Sequence, residues 1–157
     1  MERLKMNIVK HSKGSNLQRV QKKPFPSWIN MYQRTIPAII LGSLLGTYLD
    51  LYFVGKGLYE FPTRPLSHIF SINLTFTLIA LPLFTMVFLL ICSKLKLLKK
   101  ISLILLLSLF MAVAERAAEG LGLFAHHYSW KHQYSFIGYT AYLTVIYLFF
   151  HWSRFRI

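Results

Sequence analysis

The sequence predicts an all-α integral membrane protein, a bundle of four transmembrane helices with the N-terminus and the C-terminus both inside the cell. Two observations lead to this prediction. The chain of 157 residues is 55% hydrophobic and carries only 5 acidic residues against 18 Lys and Arg. Its charged residues also lie mostly between long apolar runs, whereas about a quarter of the residues in an ordinary soluble domain are charged. Such segregation is what insertion into a bilayer requires.

Four apolar runs are long enough to cross the hydrocarbon core of a membrane. They predict spans at about residues 35–54, 69–92, 101–121 and 135–152. A helix of twenty residues is about 30 Å long, which matches the thickness of that core. Pro37 falls in the opening turn of the first span, where a missing N–H costs little. Pro82 falls near the middle of the second span and predicts a kink there.

The basic residues predict the orientation of the chain. Residues 1–34 form a basic cytoplasmic tail, expected to be disordered or to lie on the lipid surface, and residues 35–157 form the transmembrane domain. With the N-terminus inside, fourteen of the 18 basic residues lie on the inner side. The other four are Lys56, Arg64, Arg116 and Lys131. Because inner loops carry an excess of Lys and Arg, this asymmetry predicts an N-in and C-in topology.

Composition also limits which binding partners and which cellular compartment the sequence predicts. A net charge of +13 would suggest nucleic acid in a soluble protein, but basic residues beside apolar runs are explained by anionic lipid and the positive-inside bias. The sequence therefore predicts the lipid bilayer of the cell membrane as partner, with no nucleic acid and no cofactor. Gly42 and Gly46 form a small-xxx-small pair, which favours close helix packing and allows a homodimer. The single cysteine, Cys92, excludes a disulfide within the chain.

Ionisable residues gather on the predicted outer side, which holds four of the five acids and four of the six histidines. Counting 1.5 Å per residue along the spans places several polar groups at one level. Charged groups at such a depth usually face the bundle interior or a water-filled cavity. The predicted polar cluster consists of Asp50, Asn73, Glu115, Arg116, Glu119 and Tyr139.

Two interpretations of this cluster stay open at this point. Polar side chains in membrane helices often hold helices together, at about half to two kcal/mol per hydrogen bond. Intramembrane charge equally marks ligand, ion or catalytic sites. A metal site is a further hypothesis, because His126, His127 and His132 offer imidazole ligands, although the sequence has no His-Glu-x-x-His pattern.

The loop after the first span is rich in Gly, Pro and aromatic residues. Gly55 and Gly57 predict a turn that lets the chain leave the membrane. Residues 58–65 are then expected to fold back over the mouth of the bundle. Tyr59, Phe61 and Pro62 would supply the apolar underside of this cap.

Several short motifs lie along the chain from the first span to the last. They are Gly46 to Asp50 (GTYLD), Gly55 to Tyr59 (GKGLY), Phe61-Pro62, Arg64-Pro65, Ile69 to Asn73 (IFSIN), Trp130 to His132 (WKH) and Tyr134 to Tyr139 (YSFIGY). With these motifs the chain resembles a family of small multi-pass membrane proteins from spore-forming Gram-positive bacteria. The resemblance covers about residues 35–152 and implies the same multi-pass architecture, and the family has no assigned activity.

A second likeness is to membrane carotenoid cyclases, in which an Asp near a helix end precedes a turn with Gly, an aromatic residue and Phe. Asp50, Gly57, Tyr59 and Phe61 are similar to that pattern. The paired acids expected at the start of the following helix are replaced by Ser-Ile-Asn at residues 71–73.

The sequence thus supports two functional hypotheses. The first is a non-enzymatic membrane protein with a structural, sensing or interaction role in the cell envelope. The alternative is a small-molecule site, in a lipid- or isoprenoid-modifying enzyme or a small permease, built on the outward-facing Asp, Glu and Arg residues.

Overall fold

A computed structural model describes residues 27–153, with side chains described at 33 and 35–153. It contains four α-helices, which are α1 (Ser27–Gly55), α2 (Leu81–Lys94), α3 (Leu97–Gly120) and α4 (His132–Ser153). Two short strands, β1 (Tyr59–Glu60) and β2 (Ala125–His126), complete the described elements. The prediction of an all-helical chain is confirmed.

Three segments of the described chain are helices long and apolar enough to cross a membrane. They are Thr35–Gly55, Phe76–Lys94 and Leu97–Gly120. Helix α4 has 22 residues but is not among them, because Gln, His, Ser, Thr and Tyr residues dilute its apolar content. A fourth span and the N-in, C-in topology therefore stay predictions.

The first helix is longer than the sequence predicted. Helix α1 begins at Ser27, so residues 27–34 of the predicted tail are helical, while residues 1–26 lie outside the described part of the chain. Pro37 consequently sits inside the helix and not in its opening turn. The next residue, Ala38, is fully buried, so this part of α1 is fixed by packing against the bundle.

The second span begins later than predicted, and the reason is Asn73. The side-chain oxygen of Asn73 accepts a hydrogen bond from the Phe76 N–H at 3.2 Å, which is how an Asn residue caps the start of a helix. Helical structure therefore starts at Leu74, and residues 69–73 belong to the preceding loop. Asn73 lies at the start of the helix and not inside the span as predicted.

Pro82 deforms the second span through a π-helical turn. Residues Phe76–Ala80 form this turn, and α2 follows it directly with Pro82 in its first turn. The Leu81 N–H donates to the carbonyl of Phe76, five residues earlier. The wider turn leaves room for the proline ring ahead of a regular helix. The distortion predicted at Pro82 thus lies on its N-terminal side.

The core draws on all four helices, and α1 lies between α2 and α4, while α4 also contacts α3. Its fully buried members include Phe88, Leu89, Leu143 and Ile146. The opposite faces of the helices are apolar and exposed, as expected of surfaces that contact lipid. On α1 this face carries Ile36, Ile40, Leu44, Tyr48 and Leu51.

Gly42 and Gly46 allow the close helix approach that their spacing predicted. The helices that approach α1 at these two residues are α2 and α4 of the same chain. A Cβ atom at Gly42 would lie 2.9 Å from the Tyr142 hydroxyl oxygen of α4. A Cβ atom at Gly46 would overlap the side chain of Leu81, which is itself buried. A second copy that used this face would have to displace α2 and α4.

We expect Gly46→Val to lower the unfolding midpoint of the protein in mild detergent. The added carbons meet Leu81 where no space remains, and overpacking of this kind costs about 1–3 kcal/mol. Gly138→Val is the matched control, because nothing lies within 4 Å of a Cβ atom at Gly138. Equal midpoints for the two variants would contradict the close packing of α1 against α2.

Two loops close one end of the bundle. We call them the lid, defined as residues 56–73 and 121–131. Strands β1 and β2 pair antiparallel across it, with Tyr59 opposite His126, and the His127 N–H donates to the Leu58 carbonyl at 2.9 Å. The sequence predicted that the first of these loops folds over the mouth, and it does; the strand pairing with the second loop was not predicted.

Glycines start both halves of the lid. Gly57 and Gly122 have positive φ angles of 66° and 70°, a conformation that glycine adopts without strain. The Leu58 N–H donates to the Phe53 carbonyl and the Leu123 N–H to the Ala118 carbonyl, both at 3.0 Å. These bonds reach back five residues, as in the Schellman motif, so α1 and α3 end in the same way.

Arg64 and a small apolar cluster hold the first half of the lid together. The Arg64 guanidinium donates to the carbonyl oxygens of Phe61 at 2.6 Å and Phe70 at 2.7 Å. Within the lid, Phe61, Ile72 and Phe124 pack into a buried cluster of their own. Pro62 is exposed, so the predicted apolar underside is supplied by Tyr59 and Phe61 and by Phe124 of the other loop.

Candidate functional site

A cavity of about 640 Å³ lies between the helices beneath the lid. Its walls are mostly apolar and aromatic, and all four helices and both halves of the lid contribute to them. The charged residues among the described cavity-lining side chains are two acids, Asp50 and Glu115. The described lining also includes the polar or amphipathic residues Tyr59, Asn73, Trp130, Tyr134, Ser135, Tyr139 and Tyr142.

Asp50 lies near the end of α1, and only one of its two carboxylate oxygens has a hydrogen-bond partner among the described residues. Its Oδ1 atom accepts a hydrogen bond from the Tyr59 hydroxyl at 2.5 Å. The pKa of Tyr59 is raised above its ordinary value, chiefly because the phenol is buried and secondly because the Asp50 carboxylate is close. The phenol therefore keeps its proton and acts as a donor. The Oδ2 atom of Asp50 is buried and has no hydrogen-bond partner among the described residues.

Glu115, in contrast, has partners for both carboxylate oxygens. The Tyr139 hydroxyl donates to Oε2 at 2.5 Å, and the Ser135 hydroxyl donates to Oε1. The indole N–H of Trp130 donates in turn to the Ser135 oxygen at 3.0 Å. Because Ser135 and Tyr139 are four residues apart, they project from the same face of α4. Glu115 therefore ties α3 to α4.

His126 of β2 lies between two glutamates of α3. Its Nε2 atom is 2.9 Å from Glu115 Oε1, and its Nδ1 atom is 3.1 Å from Glu119 Oε1. The backbone N–H of His126 also donates to Glu119 Oε1, at 3.2 Å. The imidazole stacks on the Trp130 ring with 13° between the planes and 5.2 Å between the centroids. The contacts fix the ring plane and place both nitrogens against carboxylates.

His132 extends this group from the first turn of α4. Its Nε2 atom lies 4.0 Å from Glu119 Oε2, and its Nδ1 atom is buried without a hydrogen-bond partner among the described residues. One ligand-type atom each of Glu115, His126 and His132 lie within 4.8 Å of one another.

The structure brings together most of the residues in the predicted cluster. Asp50, Asn73, Glu115 and Tyr139 line one cavity. Glu119 adjoins it through His126. The cluster thus spans α1, the lid, α3 and α4.

Arg116 and His127 are not part of this arrangement. Arg116 is exposed and is not among the cavity-lining residues, because it follows Glu115 by about 100° around α3 and so points outward when Glu115 points inward. His127 is exposed and pairs with the Ser129 hydroxyl oxygen at 2.8 Å. Adjacent residues of an extended segment project to opposite sides, so His126 faces the bundle and His127 does not.

Sequence reasoning missed Tyr59, Trp130 and Ser135 as partners of the two acids. Ser135 could have been found, because it lies one helical turn before Tyr139. Tyr59 and Trp130 lie in loops, where no periodic pattern indicates the direction of a side chain. Their roles depend on the pairing of the two halves of the lid.

Comparison of the chain with protein-family models, with curated proteins and with solved structures finds no match. The resemblance to a family of small membrane proteins therefore stays a prediction. Fold and site define the chain as an all-helical protein with helices of membrane-spanning length and a lid-covered, acidic cavity between them.

Proposed function

We propose that this protein binds an amphipathic small molecule in the cavity beneath the lid, with the apolar part of the ligand between the helices and a hydrogen-donating, cationic head group at Asp50. The observation that carries the proposal is the unpaired Oδ2 atom of Asp50 in a cavity of about 640 Å³. This is the small-molecule alternative of the two hypotheses that the sequence left open.

The unpaired oxygen favours a ligand over a purely structural role for Asp50. A buried polar atom without a hydrogen bond costs about 1–3 kcal/mol, and such atoms in native proteins call for an explanation. Glu115 serves as an internal comparison, because hydroxyl donors satisfy both of its oxygens. We assign Glu115 to holding the helices together and Asp50 to the ligand.

The charges around the cavity favour a positively charged head group. Both charged residues among the described cavity-lining side chains are acids, and Arg116, which was predicted to belong to the polar cluster, is exposed and stays outside the cavity. Tyr59, Trp130 and Tyr139 surround the acids with aromatic rings, which attract cations through their faces. A primary ammonium group supplies both the charge and the donors that Asp50 Oδ2 lacks.

The apolar walls favour a ligand that arrives from the bilayer. In the arrangement we propose, α4 forms a fourth span, both termini lie in the cytoplasm, and the lid faces the outer side of the cell membrane. The acids then lie near the outer boundary of the hydrocarbon core. A lipid-like amine would reach them with its head group near the interface and its chain among the helices.

The test uses 3-bromoundecylamine, whose bromine lies beside the head group and quenches tryptophan fluorescence at contact. Trp130 lines the cavity, so the protein is placed in phosphatidylcholine nanodiscs with Trp28 and Trp152 replaced by Phe. We expect saturable quenching of Trp130 by the amine. The same bromoalkyl chain with a hydroxyl head should bind more weakly, and the chain with a carboxylate head weakest, because the acids repel it.

Asp50→Asn is expected to weaken binding of the bromoamine about tenfold or more, because a charge-assisted hydrogen bond of about 1.5–3 kcal/mol is lost. The variant should fold as well as the unchanged protein or better, since the substitution removes an uncompensated buried charge. Glu60→Gln, an exposed acid on the neighbouring strand, is the control and should bind normally. Equal affinity of all three head groups, or unchanged affinity in Asp50→Asn, would refute the proposal.

A further inference from the structure

The two ring nitrogens of His126 both face carboxylate oxygens, and one neutral imidazole cannot satisfy both. A neutral imidazole has one N–H donor and one lone pair. The bond from Nδ1 to Glu119 Oε1 uses the donor. Nε2, with its lone pair, then lies 2.9 Å from Glu115 Oε1, and it forms no hydrogen bond with the described residues. A positive charge between these two atoms would turn a repulsive contact into an attractive one.

Glu119 holds His126 by a hydrogen bond and faces His132, and one nitrogen of each histidine stays free. Its Oε1 atom holds His126 Nδ1, and its Oε2 atom lies near His132 Nε2. The remaining nitrogens, His126 Nε2 and His132 Nδ1, are the two buried imidazole atoms without a hydrogen-bond partner among the described residues. A carboxylate behind a histidine is the usual outer-shell arrangement of metal-binding imidazoles, since it fixes the tautomer and directs the free nitrogen.

We propose that Glu115, His126 and His132 form a binding site for a divalent transition metal ion, with Zn²⁺ as the best fit. The ligands would be Glu115 Oε1, His126 Nε2 and His132 Nδ1, with Glu119 as the orienting carboxylate. Two imidazoles and one carboxylate are the donor set that suits zinc.

The spacing of these atoms is compatible with such a site. Bonds of 2.0–2.2 Å in tetrahedral geometry put ligand atoms about 3.4 Å apart. In this protein the ligand-type atoms lie within 4.8 Å of one another, and the closest contact is 2.9 Å. Small rotations of the His132 side chain, which is 40% exposed, would close the remaining distance. A carboxylate oxygen can accept the Ser135 hydrogen bond and bind a metal with another lone pair.

The metal would lock the lid onto the bundle. Its three ligands come from α3, β2 and the first turn of α4, so the ion would cross-link the second half of the lid to two helices. Three protein ligands leave a fourth position for water or another small ligand. This proposal stands apart from amine binding, because it does not involve Asp50 and its test uses metal alone.

The test measures binding of Co²⁺ and Zn²⁺ to the full-length protein after removal of metal with EDTA. We expect about one equivalent of Co²⁺ per chain, with the intense visible absorption of a four-coordinate site, and displacement of Co²⁺ by Zn²⁺. His126→Ala and His132→Ala should abolish both signals. Glu119→Gln should weaken Zn²⁺ binding about 10- to 100-fold. His127→Ala is the matched control and should leave binding unchanged.

A second measurement guards against variants that fold poorly. Zn²⁺ should raise the unfolding midpoint of the unchanged protein and of His127→Ala, because it binds the folded state alone, and it should not raise that of His132→Ala. Substoichiometric metal in the unchanged protein, or loss of binding in His127→Ala as large as in His126→Ala, would overturn the proposal.

Discussion

Glu115→Ala is expected to lower the unfolding free energy by about 3 kcal/mol or more, the largest effect of a single polar substitution in this chain. Hydrogen bonds to a charged group contribute about 1.5–3 kcal/mol each. Glu115 accepts two, from Ser135 and Tyr139, and its side chain is 10% exposed. Alanine leaves both hydroxyl donors without their acceptor in an apolar bundle and adds an empty volume beside them. The link between α3 and α4 at the lid end would be lost.

The measurement is the thermal unfolding midpoint in mild detergent with metal removed, so that a contribution of a bound ion does not enter. Arg116→Ala is the matched control, since it is the next residue on the same helix and is exposed. An exposed substitution of this kind usually changes stability by less than about 0.5 kcal/mol. If Arg116→Ala costs as much as Glu115→Ala, Arg116 is a structural partner in the membrane and the assignment of Glu115 is wrong.

Gly138→Phe is expected to abolish binding of the bromoamine without loss of the fold. Gly138 lines the cavity, and nothing lies within 4 Å of a Cβ atom built at this position. The aromatic ring would therefore occupy space that the apolar part of a ligand needs. Burying a Phe side chain contributes about 1.5–3 kcal/mol relative to leaving it in water, and no neighbouring atom has to move to admit its Cβ atom, so the fold should tolerate it.

Quenching of Trp130 by 3-bromoundecylamine reports this effect directly. Gly55→Phe is the control, because Gly55 also has open space around it but lies outside the cavity lining. We expect saturable quenching to persist in Gly55→Phe and to disappear in Gly138→Phe, which leaves only the linear quenching by amine dissolved in the bilayer. Saturable quenching of equal strength in Gly138→Phe would place the ligand elsewhere.

The two carboxylates show how similar residues at one level acquire different roles. Asp50 and Glu115 line the same cavity, yet Glu115 is surrounded by hydroxyl donors from α4, while Asp50 has only Tyr59 for one of its two oxygens. Substitutions of the two acids should therefore affect different properties, folding stability in one case and amine binding in the other. Glu115→Ala should lose stability, and Asp50→Asn should lose binding.

The local properties of the sequence were enough to predict the helices and the level of the acids. Long apolar runs and the scarcity of charge predicted an all-helical chain with helices of membrane-spanning length, which the structure contains. A constant rise of 1.5 Å per residue predicted that Asp50, Asn73, Glu115 and Tyr139 lie at one level. All four line one cavity, although Asn73 does so from the start of its helix and not from inside the span. The glycines at the end of α1 predicted the turn into the lid. These inferences need only the geometry of a helix or a turn, which nearby residues determine.

Only the tertiary structure decided which groups meet at the lid. The pairing of Tyr59 with His126 joins two loops that are far apart in the sequence, and it places His126, and not His127, against Glu115 and Glu119. The capping role of Asn73 and the outward direction of Arg116 likewise depend on which face of each helix packs inward. The sequence of a loop has no hydrophobic periodicity that indicates where its side chains point. A helix that is apolar on all sides gives no such indication either, so its neighbours determine which face packs inward. Contacts of this kind therefore follow from packing alone.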